Sequence, residues 1–286
     1  MRRSVVTGLV GAMQRWPVVV LLWLVGLLAG VAFLLAAGHW LSLAFDASLL
    51  TRTLAWDFNL TAVGDLFIHH GESLAMLASV TVVLIGGVLL FSIWLTAGVV
   101  RAVQDAAASF TFAEFWRRSL GLYPVFWRLW VLVMALDTLV IVAVVGAVHR
   151  LLRWLAESPN ELTTTYALAA GFLVATIALL MLVTIHDHAR ICIVRRRFGA
   201  WRAFRWACRF VLHGDRRALT LTVTMLVAGV PLWLLYRAIE VLIPTTTPDG
   251  GVTISLLWGQ VLMLGRAFIR VATFAAATEL QAEFPE

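Results

Sequence analysis

Residues 17–38 read PVVVLLWLVGLLAGVAFLLAAG, a stretch without a single charge. As a helix rising about 1.5 Å per residue it crosses the roughly 30 Å of hydrocarbon in a bilayer. The rival reading is a cleaved signal peptide, whose apolar core runs only about 7–15 residues. The stretch is longer than that, so it reads as a retained first membrane helix.

Similar stretches recur downstream. Residues 73–100 and 162–185 are uncharged, 125–148 is interrupted by Asp137, 218–243 contains Pro231, and 252–278 carries Arg266 and Arg270. Six spans result, and the chain as a whole agrees with them. It is 62% hydrophobic and 13% charged, where soluble domains run about 45–50% and about 25%. That excludes an ordinary soluble fold. The expected class is an all-α polytopic membrane bundle forming one domain over residues 1–286. In it, 1–16 is a cytoplasmic segment and 39–72 an outer loop.

Arginine placement orients the bundle. The 22 basic residues are all arginine. With the amino terminus inside, Arg2, Arg3 and Arg15 precede the first span, and Arg101, Arg117, Arg118 and Arg128 surround the second connection. Nine more lie between Arg190 and Arg217, while the outer loops hold only Arg52, Arg150 and Arg153. Inner loops of membrane proteins carry such an excess. The expected location is therefore a bacterial inner membrane, multi-pass, with both termini cytoplasmic. A formal charge of +6 then points to anionic headgroups of the cytoplasmic leaflet as partners, and not to nucleic acid.

A shift of 89 residues superimposes two units, about 73–148 and 162–243, matching Arg101 with Arg190, Phe115 with Phe204 and Arg128 with Arg217. Each unit has a middle segment mixing aromatics with arginines, TFAEFWRRSLGLY and AWRAFRWACRFVLHG. Phe112, Phe115, Trp116 and Ser119 keep helical spacing, as do Trp201, Phe204, Ala207 and Cys208. Two amphipathic interfacial helices are expected, with Arg117, Arg118, Arg128, Arg195, Arg196, Arg197, Arg202, Arg205, Arg209, Arg216 and Arg217 reaching lipid phosphates. The competing reading makes them ends of tilted helices packed on one another.

The pattern Ser109-Phe110-x-Phe112-x-x-Phe115, with Tyr123 and the Trp127-Arg128-x-Trp130 cluster, repeats in degraded form at 198–217. It resembles the six-helix membrane domain found beside bacterial glycerophosphodiester phosphodiesterase domains, and that domain's stand-alone relatives. The likeness spans about residues 73–280. The phosphodiesterase catalytic domain has no counterpart in the sequence, so the resemblance implies a fold and carries no activity.

The costliest residue for such a topology is Asp137, since a carboxylate at mid-span costs about 2.5–3.5 kcal/mol on insertion scales. Counted along their helices, Asp137 and Arg266 reach similar depths, which predicts a pair with Arg270 assisting. The alternative makes Asp137 the carrier of a small-solute or ion-coupled transporter, for which the internal repeat and Pro231 also speak. Arg237 and Glu240 lie three apart and read as a local pair.

His186-Asp187-His188 offers metal-type side chains, but alternate residues of a helix face different ways. His69 and His70, near Asp65 and Glu72 in the acidic outer loop, are equally weak metal candidates. That loop is instead the natural docking place for a membrane-protein partner. Cys192 and Cys208 read as inert thiols. Phosphate-loop, metalloprotease and serine-elbow motifs are absent, so the expected function is a non-catalytic scaffold, accessory subunit or lipid-interacting protein, without a cofactor.

Overall fold

The computed structural model describes residues 2–45, 71–105, 110–155, 161–214, 216–242 and 250–284. The outer-loop residues Asp65, His69 and His70 lie outside these. Eight α-helices are present, and no strand among the described residues: α1 (Arg2–Gln14), α2 (Trp16–Phe45), α3 (Gly71–Gln104), α4 (Phe112–Leu155), α5 (Glu161–Arg196), α6 (Ala200–Arg209), α7 (Arg217–Leu242) and α8 (Gly250–Ala282). A single turn of π-helix, Phe210–Gly214, continues α6.

Helices α2, α3, α4, α5, α7 and α8 are each long and apolar enough to cross a membrane. Their surfaces say the same. Val83, Phe172, Leu173, Leu226 and Leu257 are all more than half exposed, and apolar area on that scale is stable only against lipid or another apolar partner. The chain is an integral membrane protein of six spans.

Contacts divide the chain into two units, Leu21–Ser92 and the remainder. The first comprises most of α2 and of α3, and none of its described side chains is buried. The second holds the core, which sits at the arginine-rich ends of its helices. Its largest fully buried side chains include Ile93, Phe126, Leu129, Ile191, Leu221, Phe274 and Leu280.

The span positions predicted from hydropathy match the arginine-poor ends of α3, α5, α7 and α8 closely, stop short of Phe45 in α2 and Leu155 in α4, and fall short at several arginine-rich ends. There α3, α4, α5 and α8 run past the hydrocarbon length, to Gln104, back to Phe112, and to Arg196 and Ala282. The two basic aromatic segments differ. The first is the opening of α4, continuous with the span through Pro124. The second is a separate helix, α6, set off from α5 by Arg197, Phe198 and Gly199. Both bury part of their apolar faces in protein, Phe115 and Ser119 in one and Ala203, Phe204 and Ala207 in the other, while Phe112 and Trp201 stay more than half exposed.

The turn into α6 places Arg197 at φ 53°, a left-handed conformation that costs a residue with a Cβ about 1–2 kcal/mol. Helices commonly stop on such a residue, most often glycine. Here the glycine comes two positions later, as the N-cap Gly199.

Helix α1 packs chiefly on α8. Ser4, Gly8 and Ala12 recur every four residues and are buried. A side chain added at Gly8 would strike the Ala272 carbonyl and the Ala276 methyl, each 2.7 Å from the built Cβ. Ala272 and Ala276 are themselves completely buried. Small residues at this spacing let two backbones approach closely where hydrophobic driving force is weak. The same device recurs where Gly98 of α3 faces the Phe115 ring, Gly171 of α5 faces Val148, and Gly265 of α8 faces Leu232.

Candidate functional site

The last three turns of α5 form the hub of the packed end. Thr184, His186, Asp187, His188, Ile191 and Cys192 are all buried there, on a stretch hydropathy alone ends at 185. Polar groups buried at this depth need partners, and neighbouring helices supply them for Asp187 and His188. Thr184 bonds back to the Leu180 carbonyl of its own helix, and the His186 Nε2 has no hydrogen-bond partner among the described residues. Arg270 of α8 donates from both terminal nitrogens to Asp187, Nη1 to Oδ2 at 2.5 Å and Nη2 to Oδ1 at 2.7 Å. Arg190, one turn along α5, donates to Oδ1 at 3.1 Å. Both carboxylate oxygens are thereby engaged, and the residue is only 6% exposed. The Arg270 guanidinium also lies 4.3 Å over the Phe274 ring.

Around this ion cluster, the Gln281 side-chain amide of α8 donates to the His188 carbonyl and lies against its Nδ1, both at 2.9 Å. The His188 ring packs on Phe210 of the π-helical turn at 4.9 Å. From α3, Gln104 donates to the Ile191 carbonyl at 3.1 Å. Three elements are thus joined to α5 by these contacts.

A second cluster joins α1, α3 and α4. Asp105 receives Arg101 at 2.8 Å and Arg118 at 2.5 Å, while Arg15 donates to its carbonyl at 2.6 Å. Arg118 also pairs with Glu114. These residues, with Gly98 and Phe115, line a small open pocket of about 40 Å³.

A third, larger cleft opens beside α6. Arg196, Phe198, Arg202, Arg205, Trp206 and Arg209 line about 530 Å³ of it.

No protein-family model, curated protein or solved structure matches this chain. The geometry is therefore the guide.

It rearranges the expected intramembrane pair. Arg270 is bonded to Asp187 and not to Asp137. Asp137 keeps its Oδ1 buried without a hydrogen-bond partner, and Arg266 is exposed. The reason is that depth counted along two helices says nothing about which faces meet. Val133, one turn before Asp137, is the last buried residue of α4 among those described, so Asp137 lies beyond the packed end. Arg270, by contrast, stands at the first turn where α8 enters it.

The metal reading of His186 and His188 required α5 to unwind. The helix is continuous through them, and no group of three metal-binding side chains occurs among the described residues. Of the arginines expected to reach headgroups, Arg117, Arg128, Arg195, Arg197, Arg202, Arg205, Arg209, Arg216 and Arg217 are exposed. Arg118 is committed to Asp105 and Glu114, and Arg217 lies 3.4 Å from Glu283.

Sequence reasoning missed Asp187 as the ionic hub and α1 as a packed helix. The first had a signal: an acid and two histidines inside a span-length helix need partners, and Arg270 had been given only an assisting role beside Asp137. The second had one too, in Ser4-x₃-Gly8-x₃-Ala12.

Proposed function

We propose that this protein is a non-catalytic scaffold or lipid-organising component of a bacterial inner membrane, with its arginine-rich end and both termini in the cytoplasm. The observation that carries the reading is the state of Asp187: both its oxygens are held by guanidiniums from two helices. Asp105, Glu114 and Glu283 are also spent in ion pairs. Acid–base or carrier chemistry needs a carboxylate whose proton can leave, and these are engaged with guanidiniums instead. The exposed arginines around the packed end suit anionic headgroups. The resemblance to the phosphodiesterase-associated membrane domain is in keeping with a fold that carries no chemistry of its own.

One observation favours a second reading, an ion-coupled transporter. Asp137 has a buried oxygen without a partner inside a span, and intramembrane acids often mark ion pathways.

Purification of the whole chain in native-lipid nanodiscs, followed by identification of what accompanies it, tests the proposal. Retained anionic lipid or a stoichiometric partner protein is expected, together with proteoliposomes that show no proton or solute flux. A flux abolished by Asp137→Asn would overturn it in favour of the transporter.

A further inference from the structure

The cleft beside α6 has a composition that the bundle does not require. Its described lining residues bring together the guanidiniums of Arg196, Arg202, Arg205 and Arg209. On α6, Arg202, Arg205 and Arg209 follow one another at three and four residues, so they share a face. The opposite face, Ala203, Phe204 and Ala207, is buried in the core. The arginine face is therefore presented by a fixed support that roots all three side chains on one side of the helix.

Aromatic rings orient the guanidiniums further. Arg202 lies 4.1 Å over Phe198, Arg196 4.6 Å over Trp206, and Arg205 6.0 Å from Trp201. Stacking occupies a face of the guanidinium and leaves its edge donors directed outward, the arrangement that grips phosphate oxygens in pairs. The turn that shapes the cleft is held with Arg197 at φ 53°, a conformation that persists only where surrounding structure imposes it.

We propose that this cleft is a binding site for the headgroup of a lipid carrying at least two phosphate charges. The proposal rests on the lipid-interacting reading above and names its ligand. Three exposed cations on one face of α6 exceed what a single phosphodiester neutralises. The volume of about 530 Å³ falls in the range of roughly 300–1,000 Å³ typical of ligand pockets. A lipid is favoured over a soluble phosphate because the cleft adjoins Arg196, where a membrane-length helix ends. Trp201 and Leu212, on the same segment, are also 58% and 50% exposed, apolar groups suited to the headgroup–acyl boundary.

The test is native mass spectrometry of the full chain released from detergent. It is titrated with dioleoyl phosphatidylcholine, dioleoyl phosphatidylglycerol, tetraoleoyl cardiolipin and inorganic pyrophosphate. Cardiolipin, with two phosphates, should bind at least tenfold more tightly than the singly charged phosphatidylglycerol. Arg202→Gln with Arg205→Gln should abolish that preference. Both side chains are exposed, so the melting temperature should hold. Arg150→Gln with Arg153→Gln removes equal charge elsewhere and should leave the preference intact.

Unchanged cardiolipin binding in the α6 double variant would overturn the site while leaving a general lipid-interacting role standing. Equal loss in the control variant would reduce it to bulk charge and overturn it as well. Displacement of cardiolipin by equimolar pyrophosphate would make the ligand a soluble phosphate and refute the lipid assignment. A wild-type chain with no preference for either anionic lipid over phosphatidylcholine would sink the site and the lipid-interacting reading together.

Discussion

Arg270 grips Asp187 with both terminal nitrogens, at 2.5 and 2.7 Å, and so ties α8 to α5 across 83 residues of sequence. The carboxylate is shared, because Arg190 reaches the same Oδ1 from within α5. One acid answering two cations makes its loss more serious than the loss of either partner. Asp187→Asn should destabilise the bundle by about 3–5 kcal/mol, the range for a broken buried pair. Arg270→Leu, which leaves Arg190 in place and removes a side chain that is 39% exposed, should cost less. Thermal unfolding in a fixed detergent should rank the two variants in that order, and the reverse order would contradict the shared-acid arrangement.

Asp137 and Arg266 should behave as strangers. Neither is in an ion pair with the other, and Arg266 is exposed. A double-mutant cycle with Asp137→Leu and Arg266→Leu should show coupling within about 0.5 kcal/mol, as for independent sites. Asp137→Asn alone should hold or raise the melting temperature, because it removes a carboxylate whose Oδ1 has no hydrogen-bond partner.

The contact between α1 and α8 depends on Gly8. Gly8→Leu puts a branched side chain against the Ala272 carbonyl and the Ala276 methyl, and overpacking of this kind costs about 1–3 kcal/mol. Limited proteolysis should then cut within 2–14 at far lower protease concentration than in the wild type. Gly30→Leu, where nothing lies within 4 Å, is the matched control and should leave the cleavage pattern unchanged.

The two thiols should separate cleanly in a labelling experiment. Cys192 is fully buried, while Cys208 on α6 is only partly covered. Burial pushes the Cys208 thiol above its ordinary range, so the reactive thiolate is scarce near neutral pH and grows as pH rises. Maleimide should modify Cys208 in the native protein with a rate that climbs through the alkaline range. Cys192 should react only after unfolding. Rapid native labelling of Cys192 at neutral pH would mean that the end of α5 opens.

The six spans and the asymmetry of arginine between the two ends were legible residue by residue. The reason is that transfer from water to hydrocarbon depends on the composition of a stretch about 20 residues long, a local property. Ala200–Arg209 was likewise legible as an amphipathic helix, since periodicity is also local. Which polar residues meet is a different kind of fact. Asp137 and Arg266 match in depth along their helices, yet the packed end selects Asp187 and Arg270, because helix rotation and close approach at Gly8, Gly98 and Gly265 decide which faces touch. The burial of Phe115 on α4 and of Phe204 on α6 belongs to the tertiary structure for the same reason: it is set by packing against other helices, which a local window of sequence does not specify.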